Sequence, residues 1–241
     1  MRRFVALTLI GLVAATPLPA QFEGTITMKM TPSANSTTGD INMKIAVKGD
    51  RSATVITMPA SSGPMAGMEM RSIYDPKANT MTALMPMPPA MAAMPAMANA
   101  KGIITVTDLS KTAVPGSSGG GDSKMEVRKL GTTEKILGMS CDDYEVTNAS
   151  GSTTRMCMTS ALGRFILPQM NGGMGRRGSG APSPAWAQAF GNKPMFPLKV
   201  WNSDGKVAVE VIAIDKGSVP ASMFEIPDGY VDMASMFGRR P

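Results

Sequence analysis

From Phe22 onward the chain changes character at every second residue. Phe22, Gly24, Ile26, Met28 and Met30 alternate with Glu23, Thr25, Thr27 and Lys29. Ile41, Met43, Ile45 and Val47 alternate in the same way with Asp40, Asn42, Lys44 and Lys48. A period of two sends successive side chains to opposite faces of a strand, whereas an amphipathic helix repeats near 3.6. Strands with one dry and one wet face belong in antiparallel sheets, because parallel sheets are covered on both sides.

The same reading continues along the chain. Gly49-Asp50 is a turn, and Arg51 to Met58 returns from it. Arg71 to Tyr74, the turn Asp75-Pro76-Lys77-Ala78-Asn79 and Thr80 to Met85 form a second hairpin. Gly102 to Thr107 is a short Ile/Val/Thr strand, Pro115 to Asp122 a Gly/Ser loop, and Met125 to Leu137 an irregular strand. Asp142 to Thr147 and Thr153 to Thr159 flank the turn-rich Asn148-Ala149-Ser150-Gly151. Phe196 to Trp201 and Lys206 to Ile214 flank Asn202-Ser203-Asp204-Gly205, whose Asp-Gly pair is a strong hairpin signal. The expectation is about ten strands, all antiparallel, in one strongly curved sheet or an open barrel.

Helices are few. Pro88 to Ala100 is rich in Ala and Met, and its internal Pro95 kinks or stops any helix there. Ser183-Pro184 is an N-cap followed by proline at the first helical position, leading into Ala185 to Phe190. Ala221 to Phe224 is read as one helical turn.

The N-terminus has the three parts of a secretory signal peptide: Met1-Arg2-Arg3, the uncharged run Phe4 to Ala15, and Thr16-Pro17-Leu18-Pro19-Ala20. An apolar run of 12 residues is shorter than the ~20 that cross a bilayer core. Cleavage after Ala20 leaves Gln21 first, with no later membrane-spanning stretch, and places the product in the periplasm or outside the cell. Removing Arg2 and Arg3 from the 24 basic residues, against 18 acidic ones, lowers the formal charge from +6 to +4. Arg176-Arg177 and Arg239-Arg240 are isolated pairs, so the charge gives no nucleic-acid footprint.

The 241 residues contain no histidine, which removes His-based acid/base chemistry, Ser-His-Asp and Cys-His nucleophiles, and His-ligated zinc. No paired-carboxylate site, activated nucleophile or phosphate-cradling loop is legible, so the chain is read as non-enzymatic, with no catalytic residue, no cofactor and no metal site. Asp142-Asp143-x-Glu145 is the one tight acidic cluster. On a strand only Asp143 and Glu145 share a face, with Arg155 or a lysine available to neutralise them. That is far from the six to eight oxygens of a calcium site.

Cys141 and Cys157 are the only cysteines, and in an oxidising compartment they are expected to pair. Facing residues of a hairpin have a constant index sum. A direct Cys141–Cys157 pair puts the centre at Ala149 and sets Tyr144 against Thr154 and Val146 against Ser152. Cys141, Asp143 and Glu145 then share a face with Thr153, Arg155 and Cys157.

Ten of the 24 methionines fall between Met58 and Met97. Methionine is soft and adaptable, suited to a cover over an apolar ligand. Thioethers also bind Cu(I), and Met68-x-Met70, Met85-x-Met87 and Met91-x-x-Met94-x-x-Met97 have compatible spacings. Plain core filling is the third reading. The first makes Met85, Met87, Met91, Met94 and Met97 a lid at the mouth of an apolar pocket.

Three stretches carry a family resemblance: Met43 to Arg51 with Arg71 to Met85; Thr133 to Val146, containing Gly138-x-x-Cys141-x-x-Tyr144; and Pro197 to Val200 with Val219 to Tyr230, ending Phe224-x-Ile226-Pro227-x-Gly229-Tyr230. Covering about half of the mature chain, they resemble the bacterial exported domain of unknown function DUF4412. That family in turn resembles the LolA/LolB lipoprotein carriers. The resemblance implies a mainly β fold: a curved antiparallel sheet forming an unclosed, LolA-like barrel with a few short helices. The resemblance does not extend to the Met/Pro-rich insertion at 86–100 or to the flexible Gly-rich insertion at 169–182, which interrupt a single domain over 21–232 followed by a tail at 233–241. It also implies binding of an apolar ligand, such as a lipid or lipoprotein acyl chain. A Met-rich Cu(I) binder of the envelope and a structural or interaction module are the alternatives.

Overall fold

The backbone follows the alternation into a single sheet. The computed structural model describes residues 22–32, 39–110, 125–163, 165, 190 and 193–232. The segment 1–20 read as a signal peptide, the loop at 115–122, the whole Gly-rich insertion at 169–182, most of the helix read at 183–190, and the tail lie outside them. Among the described residues there are twelve strands, β1 Gly24–Met30, β2 Ile41–Lys48, β3 Arg51–Thr57, β4 Glu69–Asp75, β5 Thr80–Pro86, β6 Gly102–Asp108, β7 Glu126–Ile136, β8 Met139–Thr147, β9 Thr153–Thr159, β10 Phe196–Trp201, β11 Val207–Lys216 and β12 Tyr230–Asp232. Their spatial order is β12-β6-β5-β4-β3-β2-β1-β11-β10-β9-β8-β7, and the two end strands do not pair, so the sheet is open. The helical pieces are short: α1 Pro89–Ala92 and the 3₁₀ turns η1 Ala60–Met65, η2 Pro95–Met97 and η3 Ala221–Phe224. The fold is mainly β, as the periodicity implies.

Two expectations are corrected. The sheet is not wholly antiparallel, because β12 runs parallel to β6, with Val231 beside Ile103. A hairpin return must be antiparallel, but β12 arrives by a crossover from β11 at the sheet's centre and has no such constraint. The β8–β9 register is also two residues in index sum away from the direct-pair expectation. Tyr144 faces Met156, and Val146 faces Thr154. The amide of Asn148 donates to the carbonyl of Ser152, closing a three-residue loop in which Gly151 has φ of 79°. That left-handed glycine ends the loop, and the hairpin centre lies at Ser150 rather than Ala149.

Irregular pairing within Met125 to Leu137 has a local cause. The β7–β8 register shifts between Lys129 and Thr133, where Gly131 has φ of 78°. Such a bulge bends an edge strand and blunts it against further pairing.

Cross-strand registers define two faces. The first carries Ile26, Met28, Met43, Ile45, Met156, Val200, Val209 and Val211, all buried in the main core with Phe196 and Leu198. Leu162, Phe165 and Phe190, from the connection between β9 and β10, pack on this core. Phe165 meets Phe196 edge-on, and Phe190 meets Tyr144 edge-on.

On the second face, the half of the sheet around β9 and β10 is polar. The other half carries Ala46, Ala53, Ile73 and Leu84, buried beneath Val219 and Phe224. The segment from Gly217 to Gly229 thus crosses the sheet as a strap before ending in β12. Arg71 donates to the carbonyls of Ser222 and Glu225 at 2.9 and 2.8 Å, and Arg51 donates to that of Phe224 at 3.0 Å. The Arg51 guanidinium also lies 5.2 Å from the Phe224 ring centre. These contacts give the Phe-x-Ile-Pro-x-Gly-Tyr ending a structural role.

Candidate functional site: the methionine cover at the sheet edge

The segment 87–100 follows β5 and must return to β6. Its sequence allows only broken helix. Pro89 occupies the first turn of α1, where a missing N–H costs nothing, and no side chain caps the turn. Pro95 starts η2 rather than continuing α1. Met94, between the two turns, donates its amide to Met91 O at 3.0 Å, and Met97 donates to Met94 O at 2.8 Å.

Met91 and Met97 are buried with Ile103, and Met85, Met87, Ala100 and Val231 pack against them half-buried. Met85 faces Ile103 across β5–β6, and Ile103 faces Val231 across β6–β12. By register this row lies on the first face, so the segment folds onto the sheet as a small apolar cap at its edge. Met94 is the exception. At 54% exposure its side chain points outward, away from the other four. Four of the five methionines read as a lid therefore come together, two of them as a local core.

A row of small side chains lies next to this cap on the first face. Thr54 pairs with Ser72, Ser72 with Ala83, and Ala83 with Thr105. Thr54 and Ser72 are buried. The row crosses four strands and joins residues far apart in sequence. Periodicity within each strand does not show that small residues align across strands.

The base of the cap has one backbone anchor with two partners. Met87 donates to the carbonyl of Lys101 at 3.1 Å, and the Lys101 amide donates to the carbonyl of Gly229 at 2.8 Å. Next to it the Tyr230 ring lies over Gly102 so closely that a Cβ there would sit 2.3 Å from Cε1.

The polar half of the second face holds the acidic cluster and the disulfide. Cys141 and Cys157 are bonded and buried, with Cα atoms 5.3 Å apart. Asp143 is fully buried. Its Oδ2 accepts from Arg155 at 2.8 Å and from Thr132 Oγ1 at 2.7 Å, while Oδ1 is buried without a hydrogen-bond partner. Arg155 also pairs with Glu134, and its guanidinium lies 4.5 Å from the Trp201 ring centre. The hydrogen bond to Asp143 raises the Arg155 pKa. Asp142 points to the other face and pairs with Lys129 at 2.7 Å, whose hydrogen bond holds its carboxyl below the ordinary range. Glu145 pairs with Arg128 at 2.7 Å. The cluster is dispersed into ion pairs on two faces. Among the described residues no three His, Cys, Asp or Glu side chains gather to hold a metal. No helix among them is long and apolar enough to cross a membrane.

The family model for a domain of unknown function, DUF4412, matches residues 22–230. No curated protein matches the chain. Among solved structures, one of PNGF-II is similar at 14% identity and a TM-score of 0.45, covering 90% of this chain. This chain spans 32% of the length of that one. An uncharacterized conserved protein from Thermus thermophilus is similar at 8% identity and a TM-score of 0.43, over 89% of this chain and 92% of its own.

Proposed function

The chain belongs to the DUF4412 family, and from that footing we propose that it is an exported, non-enzymatic protein that holds an apolar ligand, such as a lipid or a lipoprotein acyl chain. The observation that carries the reading is the cap formed by Met85, Met87, Met91 and Met97 beside the small-residue row Thr54–Ser72–Ala83–Thr105. An apolar face must be covered, and this cover consists of two single turns without side-chain caps. Segments with few fixed contacts open at low free energy, and lifting this one bares the apolar surface of Ile103 and Met85 beneath it. Thioether side chains adapt to acyl chains of different shape. Export to the periplasm or medium accords with the leader-like N-terminus and with the Cys141–Cys157 bond.

The test is titration of the purified protein, beginning at Gln21, with a fluorescent fatty-acid analogue. Saturable binding that weakens in Met91→Ser/Met97→Ser but not in Met94→Ser is expected. Absence of saturable binding to the wild-type chain overturns the reading.

A second reading, Cu(I) binding, is favoured by the meeting of four thioethers in one cluster. Met91→Leu/Met97→Leu keeps volume and apolarity while removing sulfur. Loss of Cu(I) binding in that variant, with fatty-acid binding absent throughout, would select copper.

A further inference from the structure

The cap and the strap lie on opposite faces of the sheet, yet they share their fastening. The backbone of Lys101 accepts from Met87 and donates to Gly229. Val231 enters the methionine cluster from β12, while its neighbour Tyr230 packs on the second face with Phe224, Ile73 and Leu84. Gly102 has no side chain, and the Tyr230 ring occupies the place one would take. The strap is in turn held at a distance from the cap. Arg71 grips two of its carbonyls, Arg51 a third, and Lys48 Nζ donates to Val219 O at 3.4 Å. None of these three side chains belongs to the methionine cluster.

We infer that the strap Gly217–Asp232 is the latch of the methionine cap, so that β12 must leave β6 before the segment 87–100 can lift. The physical ground is the small size of the shared joint. β12 contributes three residues in a parallel pairing, which is weaker per residue than an antiparallel one. Releasing it withdraws Val231 from the cluster, deprives the Lys101 N–H of its acceptor on Gly229, and leaves the cap held by its own single turns, the Met87–Lys101 hydrogen bond and its packing on Ile103 and Met85. Local openings of this kind occur in contiguous cooperative units, and here the unit includes two pieces of chain more than 100 positions apart in sequence. The gating role rests on the apolar-ligand reading; the mechanical coupling does not.

The test separates them. Arg71→Ala removes two strap hydrogen bonds without touching the cap, and Tyr230→Ala loosens the end of the strap from the second face. Amide hydrogen exchange is measured on the full mature chain. For a latch, both variants should accelerate exchange at Val231 and, in concert, at Met94, Met97 and Ala100, by about tenfold in Arg71→Ala for its lost charge-assisted hydrogen bonds. The amides of β1 at the sheet's centre should be unchanged. Acceleration at Val231 with unchanged exchange at Met94, Met97 and Ala100 overturns the latch. Binding of the fluorescent fatty-acid analogue is followed in parallel. Concerted exchange without any binding upholds the latch and removes the ligand reading, whereas binding without concerted exchange removes the latch alone.

Discussion

Cys141 and Cys157 are joined although they do not face each other: the residue opposite Cys157 is Asp143, and Cys141 reaches its partner along the diagonal. Directly opposite pairs are the closest on a sheet, yet diagonal neighbours on one face are still near enough for side chains to meet. The diagonal places the buried carboxylate of Asp143 beside the disulfide and under Arg155, on the same face.

The bond closes a loop of sequence separation 16, for which chain entropy corresponds to about 3 kcal/mol. Cys141→Ala/Cys157→Ala should lower the unfolding free energy by about that amount in urea titration. Thiol titration of the denatured, unreduced wild-type protein should find no free cysteine.

Arg155→Ala should be costlier than Arg128→Ala. It strands a carboxylate that is fully buried, and an unpaired buried charge is strongly destabilising even though Arg155 itself is partly exposed. Arg128 and Glu145 are exposed enough for water to screen the loss, which should be much the smaller of the two. Denaturant titration of both variants gives the comparison. Asp143→Asn in the Arg155→Ala background should recover part of the loss.

Acid should destabilise the fold through Asp142 and Asp40. Hydrogen bonds from Lys129 and Lys29 hold these carboxyls below their ordinary pKa. A depressed carboxyl contributes its full share of stability above the unfolded value of about 3.9 and loses it as pH falls through the lower folded value. Urea midpoints should therefore fall below about pH 4, and Lys129→Met should flatten that fall. Both pairs are exposed, so 1 M salt should flatten it as well.

Gly102→Ala should destabilise by about 1–3 kcal/mol, as overpacking does. A Cβ would lie 2.3 Å from the Tyr230 ring and 2.5 Å from Met85 O. Tyr230→Ala in the same chain should give a double-mutant coupling that relieves the first clash but not the second.

Met97→Ala should lose about 2 kcal/mol or more of local stability, read by hydrogen exchange in the cap, because the side chain is 2% exposed. Met94→Ala should change it by less than about 0.5 kcal/mol.

Much of this protein was written in its sequence. The alternation from Gly24 to Met30 and from Ile41 to Lys48, the Asn202–Gly205 turn and the break at Pro95 depend on sterics between near neighbours. The family motifs were legible for the same reason. The β8–β9 register was not, because Ala149-Ser150-Gly151 can close a loop either way until a left-handed Gly151 and the rest of the sheet select one. The strap, the parallel β12 and the gathering of Met85, Met87, Met91 and Met97 beside Val231 were beyond any local pattern. Arg51 and Phe224 meet across 173 positions, and Lys48 and Val219 across 171. Periodicity tells each strand which side chains point inward. Which strands become neighbours, and what lies over them, is settled only when distant apolar faces exclude water together, and that is a property of the assembled sheet.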